Sequence, residues 1–130
     1  MFQGVLSRRC EITVLVLDDE PTIVAALLQY LDKRGYKVVG LTDPELAEKL
    51  LATDLFDFAI IDIRLKDKNG LEVLRRAKDR GYRGEYILIS AFAEDFVSAM
   101  TEEDRKRLIE KPFKMYSIVD KMEELKGGKS

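Results

Sequence analysis

The stretch FAIIDIRLKDKNGLEVL, residues 58–74, decides how this chain folds. It begins with the unbroken apolar run 58–61, which stops at a single carboxylate, Asp62. A charged loop then leads through Gly70 into a new amphipathic pattern. A short apolar run without polar alternation is typical of a strand covered on both faces. The stretch therefore predicts a buried strand, a loop and a helix, with an acid at the point where the strand ends.

The same alternation of strand and helix continues along the whole chain. Apolar runs predict five strands, at residues 12–17, 37–41, 58–61, 86–89 and 108–110. The second and fifth runs are less apolar than the others, which favours the edges of a sheet. Helical patterns follow each strand, beginning near Pro21, Asp43, Gly70, Glu94 and Met115. Because parallel strands need right-handed helical crossovers, the predicted fold class is α/β, a doubly wound five-stranded parallel sheet with five helices.

Length and composition narrow the classes of function. The 130 residues suit one compact domain, and 22 basic against 24 acidic residues give a net charge of −2. This balance does not favour nucleic acid or an anionic membrane as a partner. The apolar run 12–17 is too short for a signal core or a membrane span. A single cysteine, Cys10, is compatible with a reducing compartment, so a soluble protein of the cytoplasm is expected.

The sequence contains no histidine. This removes imidazole as a metal ligand, a general base or a phosphate carrier. Catalytic triads that depend on histidine are excluded as well.

Reactive side chains follow four of the five predicted strands. They are Asp18, Asp19 and Glu20 after the first strand, Asp62 at the end of the third, Ser90 at the end of the fourth and Lys111 after the fifth. Since ligands bind beyond the carboxyl ends of parallel strands, these groups should share one edge of the sheet. Crowded carboxylates need a cation, and oxygen ligands prefer Mg²⁺. With Lys111 and Ser90 placed to hold phosphoryl oxygens, Asp62 is a candidate nucleophile.

Four separated segments, VLVLDDEP, IIDIRL, ILISA and IEKPF, resemble the signature segments of the response-regulator receiver domain of two-component signalling, the chemotaxis-type (CheY-like) receiver. The resemblance covers residues 11–126. It leaves residues 1–10 as an N-terminal extension and 127–130 as a flexible tail. It implies a flavodoxin-like sheet with strand order 2-1-3-4-5.

The resemblance also implies a role for each site residue. Asp62 would be the phosphoacceptor, Ser90 and Lys111 would contact the phosphoryl oxygens, and the Lys111-Pro112 peptide would be cis. Mg²⁺ would be the cofactor, held by Asp18 through water, by Asp19, by Asp62 and by the backbone carbonyl of Arg64.

The expected partner is a sensor histidine kinase or a histidine phosphotransfer protein, together with an output partner that the sequence does not identify. Direct binding to nucleic acid or to a membrane is not expected. The chain would be a signalling receiver that catalyses only its own phosphorylation and dephosphorylation. Whether it is a single-domain receiver or a fragment of a longer regulator stays open.

Several positions depart from the pattern of the family. Lys66 stands where proline is common, and Leu108 replaces an aromatic residue that swings inward on phosphorylation in many receivers. The segment AEDFVSAMTEEDRKRL, residues 93–108, is the least transferable part of the resemblance. Arg64 and Phe92 stand where side chains in this family can cover the phosphoryl group.

Two alternatives stay open at this point. In the first, Asp18 and Glu20 form a distant version of the haloacid-dehalogenase nucleophile loop, and the chain is an enzyme. In the second, the chain is a pseudo-receiver that docks a partner without phosphate. Turnover of a phosphate ester would favour the first alternative, and failure to bind Mg²⁺ would favour the second.

Overall fold

Five parallel strands form the centre of the computed structural model, which describes residues 11–127. They are β1 Thr13–Leu17, β2 Lys37–Leu41, β3 Phe58–Asp62, β4 Glu85–Ser90 and β5 Leu108–Glu110. The strand boundaries lie within one residue of those predicted from the sequence. The predicted extension 1–10, with its cysteine, and residues 128–130 of the predicted tail lie outside the described residues.

Five α-helices connect and follow these strands. They are α1 Pro21–Lys33, α2 Pro44–Leu51, α3 Gly70–Asp79, α4 Glu102–Lys106 and α5 Met115–Gly127. Asp43 and Asn69 cap α2 and α3, each accepting a hydrogen bond from the backbone amide two residues later, at 3.0 Å and 2.8 Å. Within the described part of the chain, no helix is both long and apolar enough to cross a membrane.

The strand order is β2-β1-β3-β4-β5 and every pairing is parallel, so the predicted topology is confirmed. Leu17 lies opposite Leu41 on one side and Ile61 on the other, and Asp62 lies opposite Ile89. The winding reverses between β1 and β3. The crevice beyond these two strands is therefore the place where the fold can bind a ligand.

Both faces of the sheet are covered by helices. One apolar cluster joins Leu15, Leu17 and Ile61 to residues of α2 and α3. The other joins Val16 and Ile60 to residues of α1 and α5. All five residues of β3 are buried, whereas the edge strands β2 and β5 are only partly buried. The strand that ends in Asp62 is therefore enclosed by β1 and β4 at its sides and by helices on both faces.

The fourth helix differs from the prediction. A single helix from about Glu94 was expected, but the structure has a 3₁₀ helix at Ala93–Ala99 and then the short helix α4. Met100 between them is extended, with φ −94° and ψ 140°. Thr101 then starts a new helix, because its side chain accepts from the amide of Asp104 while the Asp104 carboxylate accepts from the amide of Thr101.

Candidate functional site

Lys111 joins the ends of three strands that are far apart in sequence. Its Nζ lies 3.0 Å from Asp62 Oδ2, 3.0 Å from Asp18 Oδ2 and 3.2 Å from Glu20 Oε1. The backbone amide of Lys111 donates to the carbonyl of Ser90 at 2.9 Å, which fixes the loop after β5 against the end of β4. The peptide between Lys111 and Pro112 is cis, as the family resemblance implied. The structure thus brings the predicted side chains to one edge of the sheet.

Three carboxylates form a compact cluster beside this lysine. Asp18, Asp19 and Asp62 each offer an oxygen, and these oxygens lie within 4.8 Å of one another. Asp18 Oδ1 accepts from the amide of Glu20 at 2.9 Å, which orders the turn into α1. Asp18 Oδ2 is buried and has no hydrogen-bond partner among residues 11–127, although Lys111 lies within ion-pair distance. Three clustered carboxylate oxygens beside a single lysine fit a divalent cation such as Mg²⁺.

The charges of the cluster alter one another's ionisation. Burial raises the pKa of Asp62, the hydrogen bond from Lys111 lowers it and the charge of Asp18 raises it again, with a net value of about 6. Burial opposes the charged form of Lys111, but Asp62 and Asp18 outweigh this effect and raise its pKa. Lys111 therefore stays charged, and Asp62 takes up a proton at a higher pH than an ordinary aspartate does.

A cavity of about 350 Å³ opens above the cluster. Its lining residues are Asp19, Glu20, Asp62, Arg64, Leu65, Lys66, Ala91, Phe92 and Lys111. Asp62 therefore faces the cavity, whereas Asp18 is fully buried and does not line it. This arrangement opposes the dehalogenase-like alternative, in which Asp18 would be the nucleophile.

Ser90 is fully buried at the end of β4, in the strand next to Asp62. Its hydroxyl oxygen accepts from the amide of Phe92 at 3.2 Å. The hydroxyl is thus held at the turn that leads into the 3₁₀ helix.

Arg64 and Phe92 meet at the rim of the cavity. The Arg64 guanidinium lies 4.5 Å from the centre of the Phe92 ring and 4.0 Å from the carboxylate of Asp95. Both side chains are about half exposed, so the contact lies at the surface and covers part of the opening. The backbone amide of Arg64 donates to Asp62 Oδ1 at 3.1 Å, which fixes the loop to the acid it follows.

Helix α3 begins directly against the backbone of Asp62. The amide of Gly70 donates to the carbonyl of Ile63 at 2.7 Å. A Cβ atom at position 70 would collide with the Asp62 carbonyl oxygen and with a methyl group of Ile61. Only glycine allows this approach.

Sequence reasoning missed a third buried acid, Asp104, which lies outside the cluster. Its carboxylate accepts from the hydroxyl of Tyr86 at 2.6 Å and from the Arg75 guanidinium at 2.8 Å, in addition to the amide of Thr101. The sequence pattern Thr101-x-x-Asp104 is a capping signal, but nothing in it indicates burial. This network attaches α4 to β4 and α3.

The comparisons with known proteins agree with this geometry. Residues 14–123 match the family described as the response regulator receiver domain. The alkaline phosphatase synthesis transcriptional regulatory protein PhoP of Bacillus subtilis is 31% identical over 83 residues, which are 64% of this chain and 35% of that protein. The chain thus spans about a third of the length of the curated relatives it matches.

Solved structures have the same fold. The response regulator receiver protein from Sinorhizobium medicae superposes with a TM-score of 0.77 at 23% identity, covering 89% of this chain and 94% of that one. The response regulator protein TrrA from Thermotoga maritima, solved in complex with Mg²⁺-BeF, gives 0.76 at 26% identity, covering 88% of this chain and 98% of that one.

Proposed function

Because the chain belongs to the response regulator receiver domain family, the phosphoacceptors of two-component signalling, we propose that Asp62 is the residue that takes the phosphoryl group. One observation carries this assignment. Asp62 and Glu20 both face the cavity and accept a hydrogen bond from Lys111, but Asp62 is the buried one of the two and lies at the end of the central strand β3. The proposed phosphodonor is a sensor histidine kinase or a histidine phosphotransfer protein, which places the reaction in the cytoplasm.

Mg²⁺ is the proposed cofactor, and the donor set of the cluster supports it. Asp18, Asp19 and Asp62 would hold the ion together with the backbone carbonyl of Arg64. When bound, Mg²⁺ neutralises the carboxylates and draws phosphoryl oxygens into the site. The buried Oδ2 of Asp18 already has Lys111 at 3.0 Å, but one ammonium does not neutralise three clustered carboxylates.

The remaining chemistry belongs to the side chains. An oxygen of Asp62 attacks phosphorus, and the bond from phosphorus to the donor breaks on the opposite side. Lys111 already lies 3.0 Å from Asp62 Oδ2, so its ammonium can donate to a phosphoryl oxygen with little movement. The Ser90 hydroxyl, whose oxygen accepts from the amide of Phe92, keeps its own proton to donate to another phosphoryl oxygen. The same groups support slow hydrolysis of the acyl phosphate by water.

The signal passes from the site to a partner through a shift between two packings. Leu108 packs against the core from β5 and supplies no aromatic ring, so a rotating aromatic side chain is not the proposed device. We place the shift in the turn after Ser90 and the following 3₁₀ helix, because the Ser90 hydroxyl is bonded to the first part of that segment.

The test is labelling with a small phosphodonor in the presence of Mg²⁺. The unchanged chain should acquire one phosphate that hydroxylamine releases, as expected of an acyl phosphate. Asp62→Asn should acquire none, while the matched variant Asp67→Asn, which changes an exposed acid of the same loop, should label normally. Equal labelling of Asp62→Asn would contradict the assignment, and steady release of phosphate from simple esters would favour the enzyme alternative.

A further inference from the structure

Glu20 is the exposed acid at the mouth of the cavity. Its side chain is 58% exposed, whereas the side chains of Asp18 and Asp62 are buried. It stands at the N-cap position of α1, but its carboxylate accepts no hydrogen bond from the helix. It reaches instead to Lys111, at 3.2 Å. The helix does not need this carboxylate, and the lysine already has two others.

The position of Glu20 matters because of the direction of phosphoryl transfer. Asp62 lies at the bottom of the cavity, and in-line displacement puts the leaving group on the opposite side of phosphorus, toward the mouth. The lining contains the acids Asp19, Glu20 and Asp62 and the cations Arg64, Lys66 and Lys111, of which Glu20, Arg64 and Lys66 are exposed. Arg64 is drawn toward Phe92 and Asp95. Because the Glu20 carboxylate lies 3.2 Å from the Lys111 ammonium, a leaving group next to that lysine also lies beside Glu20.

Resting on the proposed function, we propose that Glu20 is a specificity-determining residue that favours phosphoimidazole donors over acyl phosphate donors. With a phosphoimidazole, the bond between Asp62 oxygen and phosphorus forms and the phosphorus–nitrogen bond breaks. The electron pair returns to the ring nitrogen, and because the other ring nitrogen of the donor is already protonated, the leaving group is a neutral imidazole. The proton on its other nitrogen can be donated in a hydrogen bond to the Glu20 carboxylate.

An acyl phosphate donor has a different leaving group. Its phosphorus–oxygen bond breaks, and the electron pair leaves on a carboxylate that carries a full negative charge. Glu20 repels that charge as it develops. Two like charges a few ångströms apart at a wet site change a rate by roughly three- to tenfold at low salt, and by less when salt screens them.

The experiment compares two small donors, monophosphoimidazole and acetyl phosphate, on the full chain at saturating Mg²⁺ and low salt. The rate of acyl phosphate formation is followed by intact mass spectrometry for the unchanged chain, Glu20→Gln, Glu20→Asp and Glu124→Gln. Glu124 is a suitable control because it is 69% exposed near the end of α5, at the opposite edge of the sheet. Glu20→Gln should raise the ratio of the acetyl phosphate rate to the monophosphoimidazole rate about threefold or more.

The other variants and conditions separate this role from simple positioning of Lys111. Glu20→Asp, which keeps the charge, and Glu124→Gln should both keep the ratio of the unchanged chain. The effect of Glu20→Gln should shrink at high salt. A change of both rates by the same factor, or no change in their ratio, would overturn the specificity role. Labelling of the unchanged chain by neither donor would instead contradict the proposed function, and this inference with it.

Discussion

Lys111 holds a single positive charge among four carboxylates, those of Asp18, Asp19, Glu20 and Asp62. Two of these acids are buried, so water does little to screen them. A phosphoryl group on Asp62 would add further negative charge at the same place. The residue-scale electrostatics therefore favour a cation before phosphorylation and still more after it.

At this scale the first prediction concerns Phe92, which meets Arg64 over the cavity. Phe92→Ala should shorten the lifetime of the phosphate on Asp62 by about three- to tenfold, since water then reaches phosphorus more easily. The measurement is loss of phosphate from the purified phosphorylated chain after the donor is removed.

Tyr116→Ala provides the matched control, because Tyr116 is an aromatic residue of similar exposure that does not line the cavity. It should leave the lifetime unchanged. An unchanged lifetime in Phe92→Ala would show that the ring does not shield the site.

At the scale of elements, Asp104 attaches the short helix α4 to its neighbours. One carboxylate accepts from Tyr86 of β4, from Arg75 of α3 and from the amide of Thr101. Asp104→Asn should lower the free energy of unfolding at neutral pH by about 1–3 kcal/mol, because an amide cannot accept all of these bonds. Urea unfolding followed by circular dichroism measures the loss, and Glu102→Gln on the exposed side of α4 should show little of it.

The same substitution has a pH dependence whose direction follows from the ionisation of Asp104. Burial opposes the charged form, but hydrogen bonds from Tyr86 and Thr101 and the charge of Arg75 outweigh it and lower the pKa. A lowered pKa contributes stability above the ordinary aspartate value, and this stability is lost as the pH falls through the folded-state pKa. The gap between the unchanged chain and Asp104→Asn should narrow below about pH 4. A gap that widened in acid would contradict this account.

For the whole molecule, Mg²⁺ should act as a stabiliser of the fold. An ion that binds only the folded chain adds about 2.7 kcal/mol to the free energy of unfolding at a concentration 100 times its dissociation constant. Asp19→Asn should lose most of this gain, whereas Asp67→Asn should keep it. Urea unfolding with Mg²⁺ or with NaCl of equal ionic strength measures the difference. Equal stabilisation of both variants would place the ion elsewhere.

Elements of the fold and residues of the site could be predicted from the sequence where a single physical cause determines the residue pattern. Buried strands are apolar without alternation, so β1, β3 and β4 and the acids at their ends could be predicted, and with them the edge where Lys111 meets Asp62. The family was predicted from the same segments, and the match over residues 14–123 confirms it.

Prediction failed where local and tertiary causes compete. Glu102, Glu103 and Asp104 form an acidic run that resembles a solvated helix face, and only the packing of β4 and α3 makes Asp104 a buried partner. The division between the 3₁₀ helix and α4 depends on the same network. The contact from Glu20 to Lys111 spans ninety-one positions, which no local pattern could indicate.

The approach of Gly70 to Asp62 has a mechanical consequence. No side chain lies between the first residue of α3 and the carbonyl of Asp62, so no soft group can absorb a displacement there. The end of β3 and the start of α3 are therefore expected to move together as one rigid unit. A small shift of Asp62 would thereby be carried along α3 to Arg75, and through Asp104 to α4.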